Sequence, residues 1–247
     1  MGLLTNKTVL ITGAMGTIGQ AMVARYHAEG AKVIAWDRPG FEGAQAALDK
    51  IGAGIRFVGC DLNDLAATEA MGLALSDETG GIDVLVNNAA FVTNKPHEEF
   101  SIEQYEAEIR INSTAPFVLA RAVSGRMKEK KAGKIICFTS ATLTGHWDGF
   151  VPYIASKGAM YGLIKGLSRE LGGYGINVNG ISPGAVLSEA EWRHFGERRE
   201  AYHQWILERQ SLKKRIEPMD IANLALFLST PQSDLITGQN IWCDGGW

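Results

Sequence analysis

Thr8-Val-Leu-Ile-Thr12-Gly-Ala-Met-Gly-Thr-Ile-Gly19 is the stretch that decides the fold. A short apolar, β-branched run reads as a strand, and it enters a turn carrying Gly13, Gly16 and Gly19. Behind that turn Ile18, Met22 and Tyr26 recur at helical spacing. A strand, a glycine turn and a helix bring backbone amides close to a pyrophosphate, and the helix N-terminus favours its charge. Glycines can also do no more than tighten a strand-to-helix turn, so the turn alone leaves both readings open.

Working outward, the next strand, Ala31–Trp36, ends in Asp37, where a carboxylate can accept both ribose hydroxyls of a dinucleotide. Asp37 would repel a 2′-phosphate, which favours NAD over NADP; the adjoining Arg38 could instead pair with that phosphate. Further strands are expected at Ile55–Gly59, Val84–Asn87, Lys134–Thr139, Ile176–Gly180 and Gln239–Cys243. Helices are expected at Phe41–Ile51, Asp64–Asp77, Ser101–Lys130, Tyr153–Leu171 and Pro218–Ser229, with Ser101 and Gln104 forming a capping box. Strands alternating with helices require right-handed crossovers and a parallel sheet, so the fold class is α/β, a single-domain doubly wound Rossmann fold over residues 1–247. At the carboxyl edge of such a sheet, Cys60-Asp61-Leu62 would lie near an adenine, and Asn87-Asn88-Ala89-Ala90 near the cofactor.

Composition narrows the classes. With 247 residues, 46% of them hydrophobic and 21% charged, the chain reads as globular. A net charge of −3 supplies no basic field for nucleic acid or an anionic membrane. No apolar run spans a bilayer, and the first residues lack a signal-peptide core and a myristoylation pattern. Cys60, Cys137 and Cys243 are odd in number and far apart, which suggests buried free thiols in a reducing cytoplasm. The five histidines show no ligand spacing, so no metal is expected.

The chemistry-bearing set is Ser140, Tyr153 and Lys157. Four residues apart on a helix, Tyr153 and Lys157 share a face, and the ammonium is expected to pull the phenol below its usual pKa toward a range useful for acid–base work.

Taken together, Thr12–Gly19, Asp37, Asp61, Asn87–Ala90, Asn112, Ser140, Tyr153-Ile-Ala-Ser-Lys157, Pro183-Gly184 and the tail Ile236-Thr-Gly-Gln with Asp244-Gly-Gly resemble the short-chain dehydrogenase/reductase family, classical type. The resemblance covers nearly the whole chain. It implies that Tyr153 is the general acid–base, that Lys157 lowers its pKa and binds the nicotinamide ribose, that Ser140 hydrogen-bonds the reacting oxygen, and that Asn112 holds a water of a proton relay. It also implies cofactor contacts from Gly13, Met15, Thr17, Ile18, Gly19, Asp37, Asp61, Leu62, Asn88, Ala89, Tyr153, Lys157, Pro183, Val186 and Ser188, and assembly as a homotetramer. Two positions depart from the family pattern: Thr17 stands where glycine is usual, with Gly16 one place early, and Ala90 replaces a glycine. The glycine spacing is closer to the extended branch of epimerases and dehydratases, although the chain has no room for that branch's larger substrate domain.

Substrate walls are expected from Phe91–Pro96, Ala141–Pro152 and 188–214, the last read as a mobile lid. Thr142, His146, Trp147, Asn94, Lys95, Trp192 and Arg193 are the candidate contacts, with Glu189, His194 and Trp205 in the same stretches. Hydroxyls and aromatic faces suit a sugar or polyol, and Lys95 and Arg193 would suit an anionic group on it. The reading is an NAD-dependent dehydrogenase of a small-molecule secondary alcohol. A redox-neutral enzyme with retained NAD and a dinucleotide-binding regulator remain as alternatives.

Overall fold

A computed structural model describes residues 2–247, the side chains of Ala190 and His194 excepted. In chain order its regular elements are β1 (Thr8–Thr12), α1 (Thr17–Ala28), β2 (Lys32–Asp37), α2 (Ala44–Ile51), β3 (Arg56–Gly59), α3 (Leu65–Glu78), β4 (Val84–Asn87), α4 (Ile102–Ile109), α5 (Ala115–Lys130), β5 (Gly133–Phe138), α6 (Val151–Gly172), β6 (Ile176–Pro183), α7 (Glu189–Phe195), α8 (Arg199–Arg209), α9 (Pro218–Leu228) and β7 (Asn240–Cys243). The strands form one seven-stranded sheet in the order β3-β2-β1-β4-β5-β6-β7. Every neighbouring pair is parallel. This is the Rossmann-like doubly wound architecture, and its winding reverses between β1 and β4, where ligands of such sheets bind.

Period-two alternation builds a core on each face of the sheet. Val9 and Ile11 of β1 join Val84 and Val86 of β4, Met22 of α1 and Ile221 of α9 in one apolar layer. Leu10 and Leu85, pointing the other way, join Leu119 and Val123 of α5 and Ile164 of α6. All five residues of β1 are buried, which explains why its sequence is a continuous apolar run bracketed by threonines.

Three boundaries differ from expectation for identifiable reasons. The second helix begins at Ala44 rather than Phe41, because Gly43 adopts φ 74° at its N-cap. Strand β6 continues to Pro183 alongside β7 instead of ending at Gly180. The single helix expected over Ser101–Lys130 is broken into α4 and α5 by a π-turn at Arg110–Thr114. Pro116 has no N–H for the carbonyl of Asn112 four residues back, and the ladder shifts so that Ala115 N–H bonds Arg110 O. The expected capping box of Ser101 and Gln104 is present. No helix among the described residues is long and apolar enough to cross a membrane.

Candidate active site

Strand β5 ends at Phe138, and the chain leaves the carboxyl edge of the sheet through Thr139 and Ser140. Ser140 Oγ accepts hydrogen bonds from Thr142 N at 3.2 Å and Thr142 Oγ1 at 3.0 Å. With both lone pairs engaged, its own proton is left to donate. The Tyr153 hydroxyl, on the first turn of α6, is hydrogen-bonded to Ser140. One turn on, Lys157 is 2% exposed, and its Nζ donates to Phe138 O at 2.7 Å.

The ammonium therefore lies over the Tyr153 ring, 5.4 Å from its centroid, and bonds the sheet rather than the phenol. The expected lowering of the tyrosine is not what this geometry produces. Burial pushes Tyr153 up to about 12, opposed by the Ser140 hydrogen bond and reinforced by the charge of Glu108. Burial likewise draws Lys157 down to about 8. A neutral phenol beside a hydroxyl donor is set up to deliver a proton. Accepting one requires the Lys157 cation or another positive charge to come nearer.

Asn112 is fully buried in the π-turn. Its Oδ1 accepts from Phe91 N at 2.7 Å, and its Nδ2 donates to Phe91 O at 2.8 Å and Ser156 Oγ at 2.9 Å. The side chain is thus committed to the protein. Four residues earlier on the same face, Glu108 is fully buried and accepts from Thr93 N at 2.9 Å. Asn112 and Glu108 together clamp the backbone at Phe91 and Thr93. Burial raises Glu108 to about 6 against the hydrogen bonds from Thr93.

The cleft at the winding reversal is built from the opening glycine turn. Gly13 has φ 64°, and a Cβ there would meet Ala89 Cα at 2.8 Å; a Cβ on Gly19 would meet Gly13 O at 2.0 Å. These two glycines serve close packing of turn, helix and strand. Gly16 is the N-cap of α1 and offers no side-chain cap, so the first-turn amides are left for an anion. Asp37 Oδ2 accepts from Met15 N at 2.9 Å and Oδ1 from Arg38 N at 2.8 Å, which fixes the carboxylate beside the turn. Arg38 lies over Phe41, 5.4 Å from its centroid.

Other predicted cofactor residues have structural duties that the sequence did not reveal. Asn88 Nδ2 donates to the carbonyls of Thr12 and Gly13, while Ala89 N–H donates to Thr12 Oγ1. Asp61 caps Asn63 N in an exposed turn, and the Leu62 side chain belongs to the core. Ile18 packs against the opposite core. Thr17, the residue that departs from the family pattern, accepts from Glu189 N at 3.2 Å and ties the turn to the start of α7. Ser188 Oγ accepts from Glu191 N at 3.2 Å as the N-cap of α7.

Above Ser140 and Tyr153 lies a cavity of about 160 Å³, bordered by Pro183 and Val186 and by three walls. Thr142, Trp147 and Phe150 come from the loop after β5, Val92 from the loop after β4, and Glu191, Phe195 and Tyr202 from α7 and α8. Tyr202 accepts from Trp147 Nε1 at 3.0 Å and stacks on Phe195 with centroids 3.6 Å apart. Trp147 also stacks on Trp247 at 4.4 Å and meets Trp205 edge-on at 5.5 Å.

Of the substrate residues expected from sequence, Thr142 and Trp147 line this cavity. Asn94 instead donates to Asp148 O, and Lys95 reaches Gln104 Oε1 and the Phe100 ring. His146 and Arg193 are exposed outside the lining, and the His194 side chain lies outside the described residues. Trp192 is 56% exposed and borders a second hollow with Thr17 and Gln20, the Arg199 guanidinium covering its ring. Phe150, Glu191, Phe195 and Tyr202 lie within the wall segments expected from sequence but were not singled out there as contacts. Glu191, Phe195 and Tyr202 recur at spacings of four and seven, a helical pattern that says which residues share a face but not what that face meets. Of the three free cysteines, Cys60 and Cys137 are buried as expected, and Cys243 is only half-buried.

A sequence profile described as enoyl-(acyl carrier protein) reductase matches residues 13–247. The D-threitol dehydrogenase of Mycolicibacterium smegmatis is 35% identical, over 99% of this chain and 94% of its own length. The chain is a member of the classical short-chain dehydrogenase/reductase family. Another relative, the 5-keto-D-gluconate 5-reductase of Escherichia coli K12, is 34% identical over 98% of this chain and 96% of its own. A solved structure from Beutenbergia cavernae superposes with a TM-score of 0.91 at 31% identity, covering 99% of this chain and 97% of that one. That protein is provisionally assigned as an NAD(P)-dependent gluconate 5-dehydrogenase and holds NADP at low occupancy. As a short-chain dehydrogenase/reductase, the chain uses a nicotinamide dinucleotide, and the uncapped turn beside Asp37 fits its phosphates and ribose.

Proposed function

We propose that this short-chain dehydrogenase/reductase is an NAD-dependent dehydrogenase of a sugar or polyol, with Tyr153 as general acid–base. The observation that carries the reading is the meeting of Ser140, Tyr153 and the aromatic- and hydroxyl-lined cavity at the edge of the dinucleotide cleft. When bound, the nicotinamide supplies the hydride acceptor or donor. Tyr153 moves the proton of the reacting oxygen, Ser140 donates a hydrogen bond to that oxygen, and Lys157 supplies the nearby positive charge. Thr142 orients Ser140 for this task through its two donors. The Asn112 side chain holds Phe91 and Ser156, so a relay there would run through the backbone carbonyl of the π-turn.

Asp37, pinned by Met15 and Arg38 amides, favours the two free hydroxyls of NAD over the phosphate of NADP. Residues 188–214 act as the lid, since α7 and α8 supply Glu191, Phe195 and Tyr202 to the cavity. A polyol agrees with the threitol activity named for one relative, while the keto-gluconate named for another is a sugar acid. Assembly as a homotetramer draws support from the open face of α6, where a Cβ on Gly162 or Gly166 would meet nothing within 4 Å. Light scattering that gives a monomer would remove that part.

Nicotinamide absorbance on mixing enzyme with NAD or NADP and a panel of polyols, sugars and sugar acids tests the activity. NADH formation with a polyhydroxylated substrate, lost in Tyr153→Phe, is the expected result. Silence across the panel, or turnover surviving in Tyr153→Phe, overturns it.

A further inference from the structure

Among the described residues lining the cavity, Glu191 is the one that carries a formal charge. Its side chain is 5% exposed, and so is that of Arg215, which donates Nη2 to Glu191 Oε2. Arg215 is itself held by Ala185 O at 3.3 Å and His203 Nδ1 at 3.2 Å. The second carboxylate oxygen, Oε1, is buried with no hydrogen-bond partner. A second cation, Arg199 Nε, stands 3.8 Å from Oε1, beyond hydrogen-bonding range, with its guanidinium over Trp192.

A charged acceptor buried without a donor is costly, and buried polar atoms in folded proteins nearly always find partners. Glu191 has an obvious cheaper use. Three residues after the N-cap Ser188, it could complete a capping box, yet its carboxylate turns inward to Arg215. The orientation makes sense if a donor arrives with the substrate. The cavity then has a polar floor, Ser140 and Tyr153, a carboxylate in the roof, and aromatic walls from Trp147, Phe150 and Phe195 between them.

The same inventory speaks against an anionic substrate. Arg215 is spent on Glu191, Lys95 on Gln104, and Arg193 is exposed outside the lining. A carboxylate or phosphate on the ligand would meet Glu191 in a cavity whose described lining carries no cation, Arg215 and Arg199 both standing behind the Glu191 carboxylate. We infer that Glu191, held by Arg215, is a specificity-determining residue that accepts a hydrogen bond from a second hydroxyl of a neutral polyol or ketose, and that the site disfavours sugar acids. This inference rests on the dehydrogenase reading above and names the substrate class within it.

The test compares kcat/KM, with NAD, for neutral polyols, the matching aldonates and a monohydroxy secondary alcohol, in wild type and Glu191→Gln. Wild type is expected to prefer neutral polyols. In Glu191→Gln the ratio of polyol to monohydroxy kcat/KM should fall by about tenfold or more, the worth of a hydrogen bond to a charged group. Should Glu191→Gln fail to fold, the paired Glu191→Leu/Arg215→Leu variant removes the charges together and is read by the same ratio. An unchanged ratio, or a wild-type preference for aldonates, overturns the inference while leaving the dehydrogenase reading intact. No turnover of any alcohol by wild type, with wild-type protein folded and binding NADH, instead sinks the dehydrogenase reading.

Discussion

The floor and the roof of the cavity are built by different means. The floor is sheet-edge chemistry: Ser140, Tyr153 and Lys157 are fixed by hydrogen bonds to Thr142 and to the Phe138 carbonyl at the end of β5. The roof, α7 and α8, is held over it by ring stacking, a Trp147–Tyr202 hydrogen bond, the Thr17–Glu189 tie and the Glu191–Arg215 pair. Directional bonds to a rigid sheet fix a reaction geometry closely. Stacked rings and one ion pair can part and re-form, as the lid proposed for residues 188–214 would require.

That contrast is open to breaking. On the floor, Tyr153→Phe should lower kcat by about a thousandfold while leaving the melting temperature near that of wild type. A parallel loss of stability would mean that the phenol also holds the fold. Next, Gly13→Ala should cost about 2 kcal/mol of stability, because φ 64° and contact with Ala89 Cα at 2.8 Å leave no place for a methyl. Thermal or denaturant melts measure it, and an unaltered midpoint would show that the turn yields.

On the roof, Phe195→Ala removes a stacked face and should raise KM for the substrate by about tenfold with kcat little changed. A fall in kcat of the same size would make the roof part of the chemical apparatus.

The smallest effect concerns Glu108. Its carboxyl is raised by burial to about 6 from 4.5, so between those values the folded chain binds more protons than the unfolded one. Its contribution to stability therefore declines as pH rises through that window. Glu108→Gln keeps an acceptor for Thr93 N–H and should abolish that decline. Denaturant melts of both proteins across pH 4 to 7 (about the window in question) would show curves that separate as pH increases. Parallel curves would mean that Glu108 is not the group responsible.

The glycine turn, the alternation of strand and helix and the Tyr153–Lys157 spacing were all legible because they are local. A turn needs its glycines within a few residues, and a shared helix face needs only a spacing of four. The break at Asn112 was legible in principle, since Pro116 deprives that carbonyl of its partner, but a long helical pattern on both sides obscured it. What the sequence determined alone was therefore the Rossmann architecture, the glycine turn at the sheet's carboxyl edge and the helix face that Tyr153 shares with Lys157.

Tertiary structure decided the rest. Lys95, near in sequence to the expected pocket, turns to Gln104, whereas Glu191 is brought into the lining by Arg215, a partner 24 residues on. The direction of the tyrosine shift was likewise undecidable from spacing. A lysine four residues away can sit beside the phenol or over its ring, and the carbonyl of Phe138, across the fold on β5, draws it over the ring. Helix periodicity sets which residues share a face. Only packing against distant segments sets the direction in which a long, charged side chain finally points, because desolvation and long-range partners determine its lowest energy.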